Sequence, residues 1–230
     1  MSEYIESIGE CGLHCFGSIS ASISHELKNA LAVINENAGL LEDLSLMAGK
    51  GLPLDPDRLK KLAAGIGKQI QRADGIIRNM NRFAHSIDEA VTCIDLADTL
   101  ALTIALSSRL AAMKGVSLNV IPPQSPVCIT TRLFYFHNLI WLCLKEIMEI
   151  SAGEKLISLS LRPQPDGASI IFSSVDAPVT DKNAMDLLGY LKAVQSADTE
   201  NRQLHITLPA DWTHIDRFIN KTPAAARKTS

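Results

Sequence analysis

Gly49-Lys-Gly-Leu-Pro-Leu-Asp-Pro56 is a loop written between two helices. Gly49, Gly51 and Pro53 break whatever helix precedes them, and Asp55-Pro56 starts another. Asp55 is suited to cap the open amides of a helix start, and Pro56 falls at the first helical position, where a missing N–H costs nothing. Working back from the loop, apolar residues recur at helical spacing from about Gly12 to Met47: Ile19, Ile23, Leu27, Ala30, Leu31, Ile34, Ala38, Leu41 and Leu44. Working forward, Leu59, Leu62, Ile66, Ile70, Ala73, Ile77, Met80 and Ala84 do the same to about Ile87. Gly65, Gly67 and Gly75 weaken the second helix, so it needs a partner. The expectation is an antiparallel hairpin of two helices, each about 35 residues and roughly 50 Å long. Two helices cannot hide both apolar stripes, so self-association into a dimeric four-helix bundle is expected unless the rest of the chain covers them.

Beyond Val91 the pattern changes, and a second domain is expected over residues 92–221. Ile94 to Met113 reads as helix, Val116 to Ile121 as a strand stopped by Pro122-Pro123, and Leu133 to Ile150 as an apolar helix. Leu156 to Leu161 and Ser169 to Phe172 read as strands about the turn Pro163-Gln-Pro-Asp-Gly167, Asp181 to Val194 as helix, and Gln203 to Leu208 as the last strand. The fold class is α+β: a helical hairpin over 1–91 followed by a small α/β sandwich. The tail from Thr222, with Pro223, three alanines and a basic end, is expected to be disordered.

Composition agrees with long aliphatic seams: of 230 residues 47% are hydrophobic and only 5% aromatic. A net charge of −3 provides no field toward nucleic acid or an anionic membrane, so neither is expected as a partner. No run approaches the ~20 apolar residues of a spanning helix, and Met1 to Glu10 lacks the pattern of a signal peptide, so a cytoplasmic protein is expected. Cys11, Cys15, Cys93, Cys128 and Cys143 are an odd, scattered set that suits reduced thiols. Cys11, His14 and Cys15 cluster but no second ligand pair follows, so no metal is assigned.

Within the first helix stands Ser22-Ile-Ser-His-Glu-Leu-Lys-Asn-Ala-Leu-Ala-Val-Ile34. His25 falls between the apolar positions Ile23 and Leu27, so its ring points off the seam. Free imidazole titrates near pH ~6.5, so an unprotonated ring nitrogen is available as a nucleophile at cellular pH. Glu26 is adjacent, and Asn29 lies one turn on along the same face as His25. This stretch resembles the phospho-acceptor box of sensor histidine kinases. Arg72-Ala-Asp-Gly-Ile-Ile and Arg82-Phe-Ala-His resemble the second helix of the same dimerisation and histidine-phosphotransfer domain. The resemblance implies that His25 is phosphorylated, that Glu26 serves phosphoryl transfer, and that Asn29 positions water for dephosphorylating a receiver domain. Ala30 stands where the family usually has a helix-bending proline, which implies a straighter helix. Symmetric pairing about the loop places Arg78, give or take a turn, opposite His25, and Arg78 and Arg82 are candidates to steady a phosphoryl group.

The second domain resembles the ATP-binding sandwich of the same family in reduced form. Cys93-Ile-Asp-Leu resembles its start, Leu133 to Ser151 its central helix and Gln203-Leu-His-Ile-Thr-Leu-Pro209 its closing strand. The family's helix carries two asparagines four residues apart for magnesium and triphosphate. Aligned on the helix end, Leu142 and Glu146 stand there, with Glu146 left as a lone cation ligand at most. Where an Asp-x-Gly-x-Gly loop is required the chain reads Ser173-Ser-Val-Asp-Ala-Pro-Val179, with Asp176 but neither glycine. The expectation is a histidine phosphotransferase that exchanges a phosphoryl group between His25 and the aspartates of response-regulator receiver domains. It carries no cofactor of its own, and the receiver supplies magnesium. Alternatives are a kinase or receiver phosphatase of sensor-histidine-kinase type, and a non-catalytic dimeric docking protein for response regulators.

Overall fold

The computed structural model describes residues 2–150, 156–175 and 177–213, with side chains from Ile5 onward. Asp176, His214 and the tail expected to be disordered lie outside them. Helix α1 runs over Ser2–Gly49 and α2 over Pro56–Ala84, followed by a 3-10 turn at His85–Ile87. The loop does what its residues suggest. Asp55 Oδ1 accepts the amides of Asp57 at 3.0 Å and Arg58 at 3.4 Å, Pro56 opens α2, and Gly51 takes a φ of 84° that a side chain would resist. The first helix begins some ten residues earlier than the apolar spacing suggests. It continues without a break through Ala30, which is fully buried.

Packing divides the chain into two compact units, and not at the change of sequence pattern near Thr92. One unit is Ser20–Arg82, the hairpin. The other joins the residues up to Ile19 to those from Phe83 onward. Phe83, fully buried at the end of α2, explains the shift. It stacks on Phe16 and Phe134 at 5.7 and 5.8 Å and lies edge-on to His137 at 5.8 Å, so both helix ends join the second unit's core.

In the hairpin unit, Ile23, Ala30, Leu44 and Leu62 are buried. The helices approach closely at Gly65, where an added Cβ would lie 3.2 Å from Asn37 Nδ2. Asn37 itself donates to the Val33 carbonyl at 3.0 Å. Ile70 and Ile77, seven residues apart and so on one face of α2, remain 54% and 46% exposed.

The other unit contains α3 (Leu96–Leu106), α4 (Ser108–Lys114), α5 (Leu133–Ile150) and α6 (Lys182–Tyr190). Its strands are β1 (Thr92–Asp95), β2 (Ser117–Val120), β3 (Cys128–Thr131), β4 (Leu156–Gln164), β5 (Gly167–Ser173), β6 (Val194–Asp198) and β7 (Gln203–Pro209). β1 and β3 pair antiparallel, and the remaining strands form a sheet in the order β2-β4-β5-β7-β6. Among the described strands of this sheet β2 runs parallel to β4, with Leu118 opposite Ile157, and the other pairs are antiparallel. Along β7 the side chains alternate, Leu204, Ile206 and Leu208 inward, Gln203, His205 and Thr207 outward. With Ile157, Leu159, Ile170 and Phe172 they form a core with the buried length of α5: Phe136, Leu139, Ile140, Cys143, Leu144 and Ile147. His137 turns its ring to Thr103 Oγ1 at 2.8 Å, a satisfied buried histidine.

Several expectations need correcting here. The helix read over Ile94–Met113 is a strand followed by two helices, since Asp95 caps α3 through the amides of Ala97 and Asp98. The helix read to Val194 ends at Tyr190, because Lys192 adopts a left-handed φ of 56° and the chain enters β6. β3 and β6 have no counterpart in the sequence reading. Among the described residues no single helix is long and apolar enough to cross a membrane.

Candidate functional site

His25 is exposed on α1 within the hairpin unit, and its side chain has no hydrogen bond or ion pair among the described residues. Ile23, two positions back, and Ala30 are buried. The apolar seam therefore anchors the helix on one side and leaves the imidazole accessible on another. Asn29, one turn further, is also exposed. A nucleophilic ring nitrogen and a carboxamide thus share an accessible helix face.

Glu26 is different. Its side chain is only 13% exposed, and Oε2 lies 3.6 Å from Arg72 Nη2 on α2. Arg72 thus reaches across the hairpin at this level. Arg78 turns along its own helix to Asp74 at 3.4 Å, with both side chains mostly exposed, and Arg82 is exposed four residues further along α2. Symmetric pairing about the loop assumed that facing residues keep equal distance from the turn. Long side chains reaching obliquely between helices relax that rule. Arg72 was visible only as part of a motif, since nothing in sequence spacing fixes the register that brings it to Glu26.

In the sheet unit, Leu142, Lys145, Glu146, Glu149, Ile150, Thr180 and Asp181 line an open cleft of about 330 Å³. Glu146 is not a free cation ligand. Its Oε1 accepts the Thr180 amide and hydroxyl, both at 2.7 Å, and Oε2 accepts the Asp181 amide at 2.9 Å. The carboxylate thereby holds the residues leading into α6, whose N-cap is Asp181. Leu142, 6% exposed, offers no oxygen to a metal. One turn earlier the sequence reading passed over Asn138, which is fully buried with both amide atoms lacking a partner among the described residues. The helical phase would have marked it as an inward-facing polar residue.

The cysteines sort by burial. Cys11 and Cys15, one turn apart on α1, hydrogen-bond to each other in the sheet unit. That bond pulls the Cys11 thiol down and pushes Cys15 up, with burial acting in the same direction on Cys15. Burial also raises Cys143 well above an ordinary thiol. Cys93 and Cys128 are exposed. His14 is exposed beside the buried Cys15, and among the described residues no three histidine, cysteine or carboxylate groups converge as metal ligands.

Residues 17–88 match the family described as "His Kinase A (phospho-acceptor) domain". No curated protein matches the sequence. Among solved structures, the Acinetobacter baumannii histidine kinase AdeS is similar at 9% identity and a TM-score of 0.41, covering 81% of this chain and 98% of that one. The ATP-binding domain of PrrB from Mycobacterium tuberculosis is similar at 12% identity and a TM-score of 0.43, covering 53% of this chain and 98% of that one.

Proposed function

We propose that the chain, whose residues 17–88 match the phospho-acceptor family, works in histidine-kinase-type, two-component signalling as a histidine phosphotransferase. His25 accepts a phosphoryl group from an aspartyl phosphate on one response-regulator receiver and returns it to another. Exposure of His25 beside a charge-compensated Glu26 is the observation that carries this reading. Transfer of this kind passes through a loose transition state and asks for positioning and charge neutralisation more than for an added base. Magnesium is assigned to the receiver. The nucleotide is left out of the scheme because Glu146 is committed to Thr180 and Asp181, and Leu142 is apolar.

The working form is a homodimer. Ile70 and Ile77 expose an aliphatic face at heptad spacing on α2, which a second hairpin would cover. Light scattering is expected to give twice the chain mass.

Incubation with receivers carrying labelled aspartyl phosphate is expected to label this chain, and His25→Ala to abolish labelling. Absence of transfer from every receiver tried would refute the proposal. Labelling of His25 by γ-labelled ATP would establish a kinase instead. Asn29, exposed one turn from His25, favours a second output, receiver dephosphorylation. Asn29→Ala is then expected to abolish phosphate release while leaving transfer intact. Full biological function in His25→Ala would point to a docking protein.

A further inference from the structure

We propose that Arg72 is a positioning residue for phosphoryl acceptance at His25, acting through Glu26; the proposal rests on the reading of His25 as phospho-acceptor. Successive side chains on a helix diverge by about 100°. Glu26 consequently leaves the face of His25 and turns toward α2, where its side chain is 13% exposed. A carboxylate so far removed from water needs a compensating charge, and the Arg72 guanidinium, 3.6 Å away, supplies it from the opposite helix. The Lys60–Asp57 and Arg78–Asp74 pairs run along α2 and leave no mark on α1. Glu26–Arg72 instead ties the residue next to the nucleophile to the second helix. Arg72 is itself 52% exposed, so part of its five-donor fork still faces solvent.

The chemistry gives that tie a purpose. The unprotonated ring nitrogen of a neutral imidazole attacks phosphorus, the bond from phosphorus to the receiver's aspartyl oxygen breaks, and the aspartate leaves as a carboxylate. A nitrogen–phosphorus bond forms, the other ring nitrogen keeps its proton, and the ring acquires positive charge. No proton has to leave. A carboxylate held in place on the neighbouring helix position favours that charge through space, whereas one free to rotate into solvent does so less. Arg72 holds it from the opposite helix.

Phosphoramidate, a small phosphoryl donor, tests this without any receiver. The rate of His25 phosphorylation is followed by 31P NMR in the full-length chain, with thermal unfolding recorded for each variant. Arg72→Ala and Glu26→Gln are each expected to slow the reaction about tenfold or more. The double variant should be no slower than Glu26→Gln alone, because Arg72 acts through the carboxylate. Arg72→Lys should recover part of the rate, and guanidinium, far below denaturing concentration, should recover part of it in Arg72→Ala. A wild-type rate in Arg72→Ala overturns the proposal, as does a double variant slowed by the product of the two single effects. Loss of rate that tracks only a lowered unfolding temperature and resists guanidinium also overturns it. Were His25 labelled by phosphoramidate with this pattern but never by receivers, the phosphotransferase reading would fail and the role of Arg72 would stand. A wild-type chain whose His25 takes no label would sink both.

Discussion

Phe83→Ala should be among the most damaging single changes in the sheet unit. Phe83 is fully buried between two stacked rings, Phe16 and Phe134, with His137 edge-on. Truncating a buried phenylalanine costs about 3–5 kcal/mol through lost transfer energy and the cavity left behind. Two ring pairs, each worth about 0.5–1.5 kcal/mol beyond their area, place this site in the upper half of that range, at about 4–5 kcal/mol. Phe83→Leu keeps most of the volume and gives up the ring geometry, for about 1–2 kcal/mol. Both tryptophans, Trp141 and Trp212, belong to the same unit as Phe83, so their fluorescence reports on it selectively. With urea slopes of about 2 kcal/mol/M, the alanine variant should unfold roughly 2 M earlier, at fixed protein concentration so that self-association does not intrude. A shift worth less than about 1.5 kcal/mol, or equal losses for alanine and leucine, would refute the view that Phe83 binds the helix ends to this core.

At Gly167 an added Cβ would run into the Leu208 carbonyl oxygen across the β5–β7 pair, so Gly167→Ala should force the strands apart. A loss of at least about 2 kcal/mol in urea unfolding is expected. Glu146→Ala removes the acceptor of three hydrogen bonds at the start of α6 and should cost about 1–2 kcal/mol, while Glu146→Gln should cost less; equal stability of all three proteins would contradict the capping role. Thiol titration of the native chain should show Cys93 and Cys128 reacting quickly. Cys11, Cys15 and Cys143 should react only on unfolding, since burial withholds them; five fast thiols would contradict the core as described.

The hairpin was legible because its signals are local and redundant. Asp55 caps where a cap was expected, and α5 spans Leu133–Ile150 as its apolar run suggests. The missed strands β1, β3 and β6 have only four or five residues, too few for a period to show, and β1 and β3 are defined by each other. His25 could be read from a motif, with its exposure following from the phase of Ile23 and Ala30. Arg72 could not, because its partner is fixed by interhelical register. Glu146 illustrates the same limit. Sequence marked what it had replaced, while its bonds to Thr180 and Asp181 depend on a loop more than thirty residues away.

The parallel pairing of β2 with β4 also sets a timetable. β5 can find β4 across a tight turn, but β2 must wait while the chain through β3 and α5 closes behind it. Closing that longer loop costs more entropy than closing a hairpin, and contacts of long sequence separation slow folding. β2 should therefore be the last strand to gain amide protection during refolding, and the first to lose it when the sheet breathes from its edge.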